Sequence, residues 1–141
     1  MSSFTSNLKL ESTGNSDSAG GPLYRTTRPL VYEVGAKGSN ARIEVPKGFI
    51  TNLGSVPRIW ILQYLYRDIV SPHGRWVAAP VLHDWLCNER FEGQQQLSGF
   101  SRFEADAIFR SALKVLGAPY HKRQTIYLAV RLRAILRGLL D

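Results

Sequence analysis

Cysteine is nearly absent from this chain: Cys87 is the single thiol in 141 residues. A lone thiol excludes an intrachain disulfide framework and a cysteine-rich zinc site, and it suits a reducing compartment. Long apolar runs are missing too, so no segment has the length to cross a bilayer as a helix. No basic residue precedes Lys9 and no apolar core follows the first residues, so a standard secretory signal is not expected. Acidic residues are few, 11 against 18 lysines and arginines, which leaves a formal net charge of +7. Nucleic acid, anionic lipid and acidic protein surfaces are all compatible with that excess. The sequence also lacks a Walker loop, a dinucleotide fingerprint, a Gly-x-Ser-x-Gly elbow and zinc-ligand spacing. What remains is one domain's length of chain, enough for a single core.

Residues 1–22 read as an extended polar arm. The stretch is rich in Ser, Thr, Asn and Gly and ends in Gly20-Gly21-Pro22. Its few large apolar residues, Phe4, Leu8 and Leu10, are too little to offset the entropy of ordering it alone. The expectation is that these three dock on a neighbouring chain. Residues 23–141 then form the domain proper. Leu30–Val34 and the alternating Ala41–Val45 flank a turn cluster, Gly35 to Asn40, and so read as a β-hairpin. Phe49-Ile50-Thr51 can add a short third strand.

About four helices are expected after these strands. The first enters at Ser55-Val56-Pro57 and continues through Tyr66, and the second starts at Pro80 and runs to Cys87. The third opens on the capping box Ser101-Arg102-Phe103-Glu104 and stops at Gly117-Ala118-Pro119. The last covers about Lys122 to Arg137. Strands first and helices after predict an α+β domain: a small antiparallel β element followed by a helix cluster.

Two sites in these helices could carry chemistry. His83-Asp84 interrupts the apolar run Val81-Leu82-Trp85-Leu86, where charge is expensive unless it is paired. Asp106 aligns at helical spacing with Phe109, Leu113 and Leu116, so it points along an apolar face. If the two helices pack antiparallel across residues 92–100, Asp106 meets His83 or Arg75. One outcome is a histidine base oriented by a buried carboxylate, with Asp84 holding a cation. The other is a hydrogen-bonded pair that pins two helices. His73, His83-Asp84 and Asp106 also follow the order found in HD-type phosphohydrolases, but Pro72-His73-Gly74 reads as a turn rather than a helix-borne ligand.

Lys122, Arg123, Arg131, Arg133 and Arg137 crowd the C-terminal fifth and offer an anionic partner a surface, with Tyr120 and Tyr127 available to stack. The same helix carries Ile126, Val130, Leu132, Ile135 and Leu136 almost all round, which equally fits a core helix whose arginines snorkel.

Four segments together resemble one family. They are Gly48–Pro57, Pro72-His73-Gly74-Arg75, Val81–Leu86 and Ser101–Phe109. In this order they are similar to a small-protein family of tailed bacteriophages and prophages, catalogued among domains of unknown function as family 1353. The likeness spans about residues 30–135. Two positions depart from it, Asn52 where the family usually has Asp and Gly54 where it has Ala, so a metal site needing a carboxylate at 52 is not supported. The resemblance implies a phage origin and no particular activity. With the polar arm and the lack of a complete catalytic signature, it leads to the expectation of a virion protein of the tail or head–tail region with a structural or assembly role. Such a protein would meet other virion proteins through its arm, become oligomeric in the assembly, and sit in the virion or, during assembly, in the host cytoplasm.

A looser similarity is to viral and secreted phospholipases A2, in which a helix carries adjacent His and Asp and a later helix supplies a second Asp. It implies a small hydrolase with His83 as base, Asp106 as orienting carboxylate and Asp84 as ligand to calcium; otherwise no cofactor is expected. A nucleic-acid-binding module is the third expectation, and steep salt dependence would mark it.

Overall fold

The computed structural model describes residues 2–16, 22–35, 42–53, 76–87 and 101–140. The fold is α+β, with two small antiparallel sheets in the N-terminal half and, among the described residues, three helices rather than four. Six short strands are present: β1 (Ser3–Phe4), β2 (Leu10–Ser16), β3 (Pro22–Thr26), β4 (Leu30–Glu33), β5 (Arg42–Val45) and β6 (Ile50–Thr51). They order as β1-β4-β5 in one sheet and β2-β3-β6 in the other. The helices are α1 (Ala78–Cys87), α2 (Arg102–Val115) and α3 (Tyr120–Leu140). The helix expected from Pro57 through Tyr66, His73, Arg75 and the link at residues 92–100 lie outside the described residues.

The hairpin of β4 and β5 follows its sequence pattern. Leu30 pairs with Val45 and Tyr32 with Ile43, and all four side chains are buried while Arg42 and Glu44 face out. That alternation is the period-two signature of a half-buried strand. Phe49–Thr51 is the point of difference. Its strand β6 pairs with β3, not with the hairpin. Gly48, at φ +87°, takes the left-handed turn that sends the chain from one sheet to the other. Thr26 joins the two sheets at this crossing. Its hydroxyl donates to the Pro46 carbonyl at 2.8 Å and accepts the Phe49 N–H at 3.0 Å, so a fully buried polar side chain is satisfied.

The segment read as an arm is paired within its own chain. β1 lies antiparallel to β4 and β2 antiparallel to β3, and Thr5 donates its N–H to Val31. Phe4, Leu8 and Leu10, expected on a neighbouring chain, pack against this chain's core, with the Phe4 and Tyr32 rings 4.8 Å apart. Low apolar content did not keep the segment free, because two existing strands each offer an unpaired edge that satisfies its backbone.

The core lies between the β4–β5 hairpin and the helices. α1 is its central member, buried from Ala78 to His83. Pro80 stands in its first turn, where a missing N–H costs nothing, although the helix begins two residues before it. α2 packs beside α1 and joins the sheet through a 2.9 Å hydrogen bond between the Ser111 and Tyr32 hydroxyls. Ser101 caps α2, its Oγ accepting the Glu104 N–H at 3.1 Å and donating to the Glu104 carboxylate. At the other end Gly117, at φ +89°, closes the helix: its N–H goes to Lys114 and that of the buried Ala118 to Leu113. That pair of bonds is a Schellman stop.

Candidate functional site

His83 and Asp106 meet where α1 crosses α2. His83 Nε2 lies 2.6 Å from Asp106 Oδ1, with the Asp106 side chain fully buried and His83 nearly so. The contact anticipated from two apolar helical runs is therefore made. Asp106 has more partners than the sequence suggested. Arg131, from α3, donates to its Oδ2 at 2.8 Å, and Arg102, one turn earlier on α2, places Nε 3.3 Å from Oδ1. One carboxylate thus binds all three helices.

The electrostatics decide the protonation states. Burial alone would raise the Asp106 carboxyl, but the His83 hydrogen bond and charge, then Arg102 and Arg131, outweigh it and hold it below the usual range. Burial lowers the His83 imidazole below its ordinary value, and the Asp106 hydrogen bond and charge oppose this only in part. A neutral imidazole beside an ionised carboxylate must carry its proton on Nε2 and donate it to Oδ1. Nδ1 is then the nitrogen that keeps the lone pair. The Phe109 ring meets the imidazole edge to face at 4.6 Å, and the Cys87 thiol, one turn on, lies 3.3 Å from the same Nε2.

Asp84 points elsewhere. Its Oδ2 accepts the Thr51 hydroxyl at 2.7 Å, and the Asn52 backbone also donates to the carboxylate. Burial nevertheless raises its carboxyl above the ordinary value, against the lowering pull of the Thr51 bond. Thr51 is itself fully buried and accepts the N–H of Leu53, which adopts φ +66°. That left-handed angle is a strained one for leucine, and it shapes the turn under Asp84.

Two cation sites were tested against these donors. Calcium takes six to eight oxygens, several from carboxylates. Among the described residues Asp84 belongs to no group of three His, Cys, Asp or Glu ligands, and burial raises its carboxyl above the ordinary value. His83, Cys87 and Asp106 do place ligand atoms within 4.8 Å of one another. A cation there would have to displace the Nε2 proton and face two guanidiniums whose charge already exceeds that of Asp106, so these three residues do not suit one.

Of the basic residues expected to form an anionic-partner surface, Arg131 turns inward to Asp106, and Lys122 lies 5.2 Å from the Trp76 ring centre. Arg123 donates to the Ala118 carbonyl. The side chain of Arg137 lies outside the described residues. Arg102 had a readable signal, its i,i+4 spacing from Asp106. Arg131 had none, since only the crossing of α3 over α2 brings it to the carboxylate.

Comparison with known proteins matches residues 24–130 to a family described as proteins of unknown function, DUF1353, and the chain belongs to that family. The matched stretch runs from β3 into α3 and contains His83, Asp84 and Asp106, while β1 and β2 precede it. Neither a search of curated proteins nor one of solved structures found a match.

Proposed function

We propose that this DUF1353 protein is a component of bacteriophage particles, in the tail or head–tail region, with a structural or assembly role. The observation that carries this reading is how Asp106 is used. The carboxylate that a catalytic His–Asp pair would need is fully buried and shared among His83, Arg131 and Arg102, which makes it a three-helix pin. Such a node specifies how helices dock, and removing one partner strands a buried charge. The exposed Leu128, Leu132, Ile135 and Leu136 on α3 add an apolar face of the kind protein contacts cover in an assembly. The phage setting rests on the motif resemblance. The decisive comparison is between particles made with and without the chain. Mass spectrometry should find it in purified virions, and its deletion should leave malformed or unjoined tails. Particles of normal shape and infectivity that lack the chain overturn the proposal.

One observation favours a second reading, a small hydrolase. With Nε2 donating to Asp106, Nδ1 keeps the lone pair a general base needs. In that reading His83 takes a proton from water and Asp106 holds the imidazole in its tautomer; no step is assigned to Asp84 or to calcium. Fatty-acid release from phospholipid vesicles, abolished by His83→Gln with the fold intact, supports it. No release by the parent protein ends it.

A further inference from the structure

Three basic side chains come together near the turn that joins α2 to α3. A cleft of about 370 Å³ opens between them, lined by Arg110, Ser111 and Lys114 from α2 and by Tyr120, Arg123 and Gln124 from α3. Three cations face this space, and among the described residues no carboxylate lines it. Among the described residues none of the three makes an ion pair. The arginines are steadied by other means. The Arg110 guanidinium lies 4.1 Å from the centre of the Tyr127 ring, and Arg123 sits 5.1 Å from that of Tyr120 while donating to the Ala118 carbonyl. Cation–π contacts hold a guanidinium in place without neutralising it, so its remaining N–H groups stay available.

We propose that this cleft binds a phosphate monoester of nucleotide size. Lys114, Arg110 and Arg123 take the multiply charged phosphate, and the exposed Tyr120 ring offers a face for the base. The volume exceeds what a single phosphate needs. The observations favour a compact anion over a long polyanion track. Arg131, which would extend a basic row along α3, is committed to Asp106, and Lys122 is held over Trp76. Charge focused in one cleft by steadied donors is a site for one phosphate group rather than for a duplex backbone. The shared chemistry is a terminal phosphate, carried either by a free nucleotide or by the 5′ end of a strand.

Calorimetric titration of the full chain at constant ionic strength tests this, with AMP, ADP and pyrophosphate as probes. We expect saturable one-to-one binding that weakens at least tenfold in Lys114→Gln and in Arg110→Gln. Arg42→Gln, a surface change away from the cleft, should leave it unaltered, and melting curves should show every variant folded. A pair of short oligonucleotides, one 5′-phosphorylated and one not, separates the sources. Preference for the phosphorylated strand assigns the strand end, and nucleotide binding without that preference assigns the free nucleotide. The absence of saturable binding overturns the proposal. So does binding of nucleotides or of either strand that survives Lys114→Gln and Arg110→Gln unchanged.

Discussion

Asp106 concentrates most of the electrostatic consequence of this fold in one side chain. Because burial keeps His83 below its ordinary value of 6.5, the unfolded chain takes up a proton there before the folded one does. Stability should therefore fall as pH drops below about 6.5, and Asp106, held ionised in the fold, adds a further loss once the carboxylate range is reached. Urea denaturation at pH 8, 6 and 4 checks this, with His83→Gln removing the first slope while its amide still donates to Asp106. Asp84 has the opposite sign. Its raised carboxyl favours the folded state below its ordinary value of 3.8, and that contribution is lost as pH rises through the folded value. Asp84→Asn, which keeps an oxygen for the Thr51 hydroxyl, should be at least as stable as the parent at pH 7, and its advantage should fade toward pH 4. A marked loss at pH 7 would show that the charge itself is needed. At this scale the pairing of His83 with Asp106 was legible, since a charge on an apolar helical face must find a partner. Arg131 was not, because its own neighbourhood reads as any amphipathic helix.

Elements differ in how much of their form is local. α2 carries its own start and stop, Ser101 with Glu104 and then Gly117, and both work as the sequence indicated. Ser101→Ala should cost about 1 kcal/mol, and Ser101→Asp should recover most of it. Gly117→Ala should cost a similar ~1 kcal/mol from backbone strain alone, since no atom crowds a Cβ at that point. Chemical denaturation of the three variants measures both ends. The β4–β5 hairpin is equally local, its register following from the alternation along β5. β6 is not. Two residues carry no periodicity to speak of, and their partner β3 was chosen by the turn at Gly48 and by Thr26, which lie outside the strand itself.

For the whole molecule, the N-terminal segment is the clearest case of context overriding composition. Removing residues 1–16 strips β1 from β4 and β2 from β3, and takes Phe4, Leu8 and Leu10 off the core. The truncated chain should melt many degrees lower or aggregate through the bared edges. In the intact protein the amides of Thr5 and of Glu11, which face β4 and β3, should resist hydrogen exchange. An unchanged melting temperature would restore the free arm. The sequence by itself determined the α+β class, the hairpin, the ends of α2 and the two halves of the His83–Asp106 pair. Each of those rests on contacts within a few residues or on the rule that buried charge must be matched. Only the tertiary structure decided that the first strands complete two sheets, that Arg131 closes on Asp106 and that Thr51 takes Asp84. It also decided that Arg110, Lys114 and Arg123 share one cleft. These are meetings between segments distant in the chain, set by how whole faces pack, and local pattern carries no record of which distant face arrives.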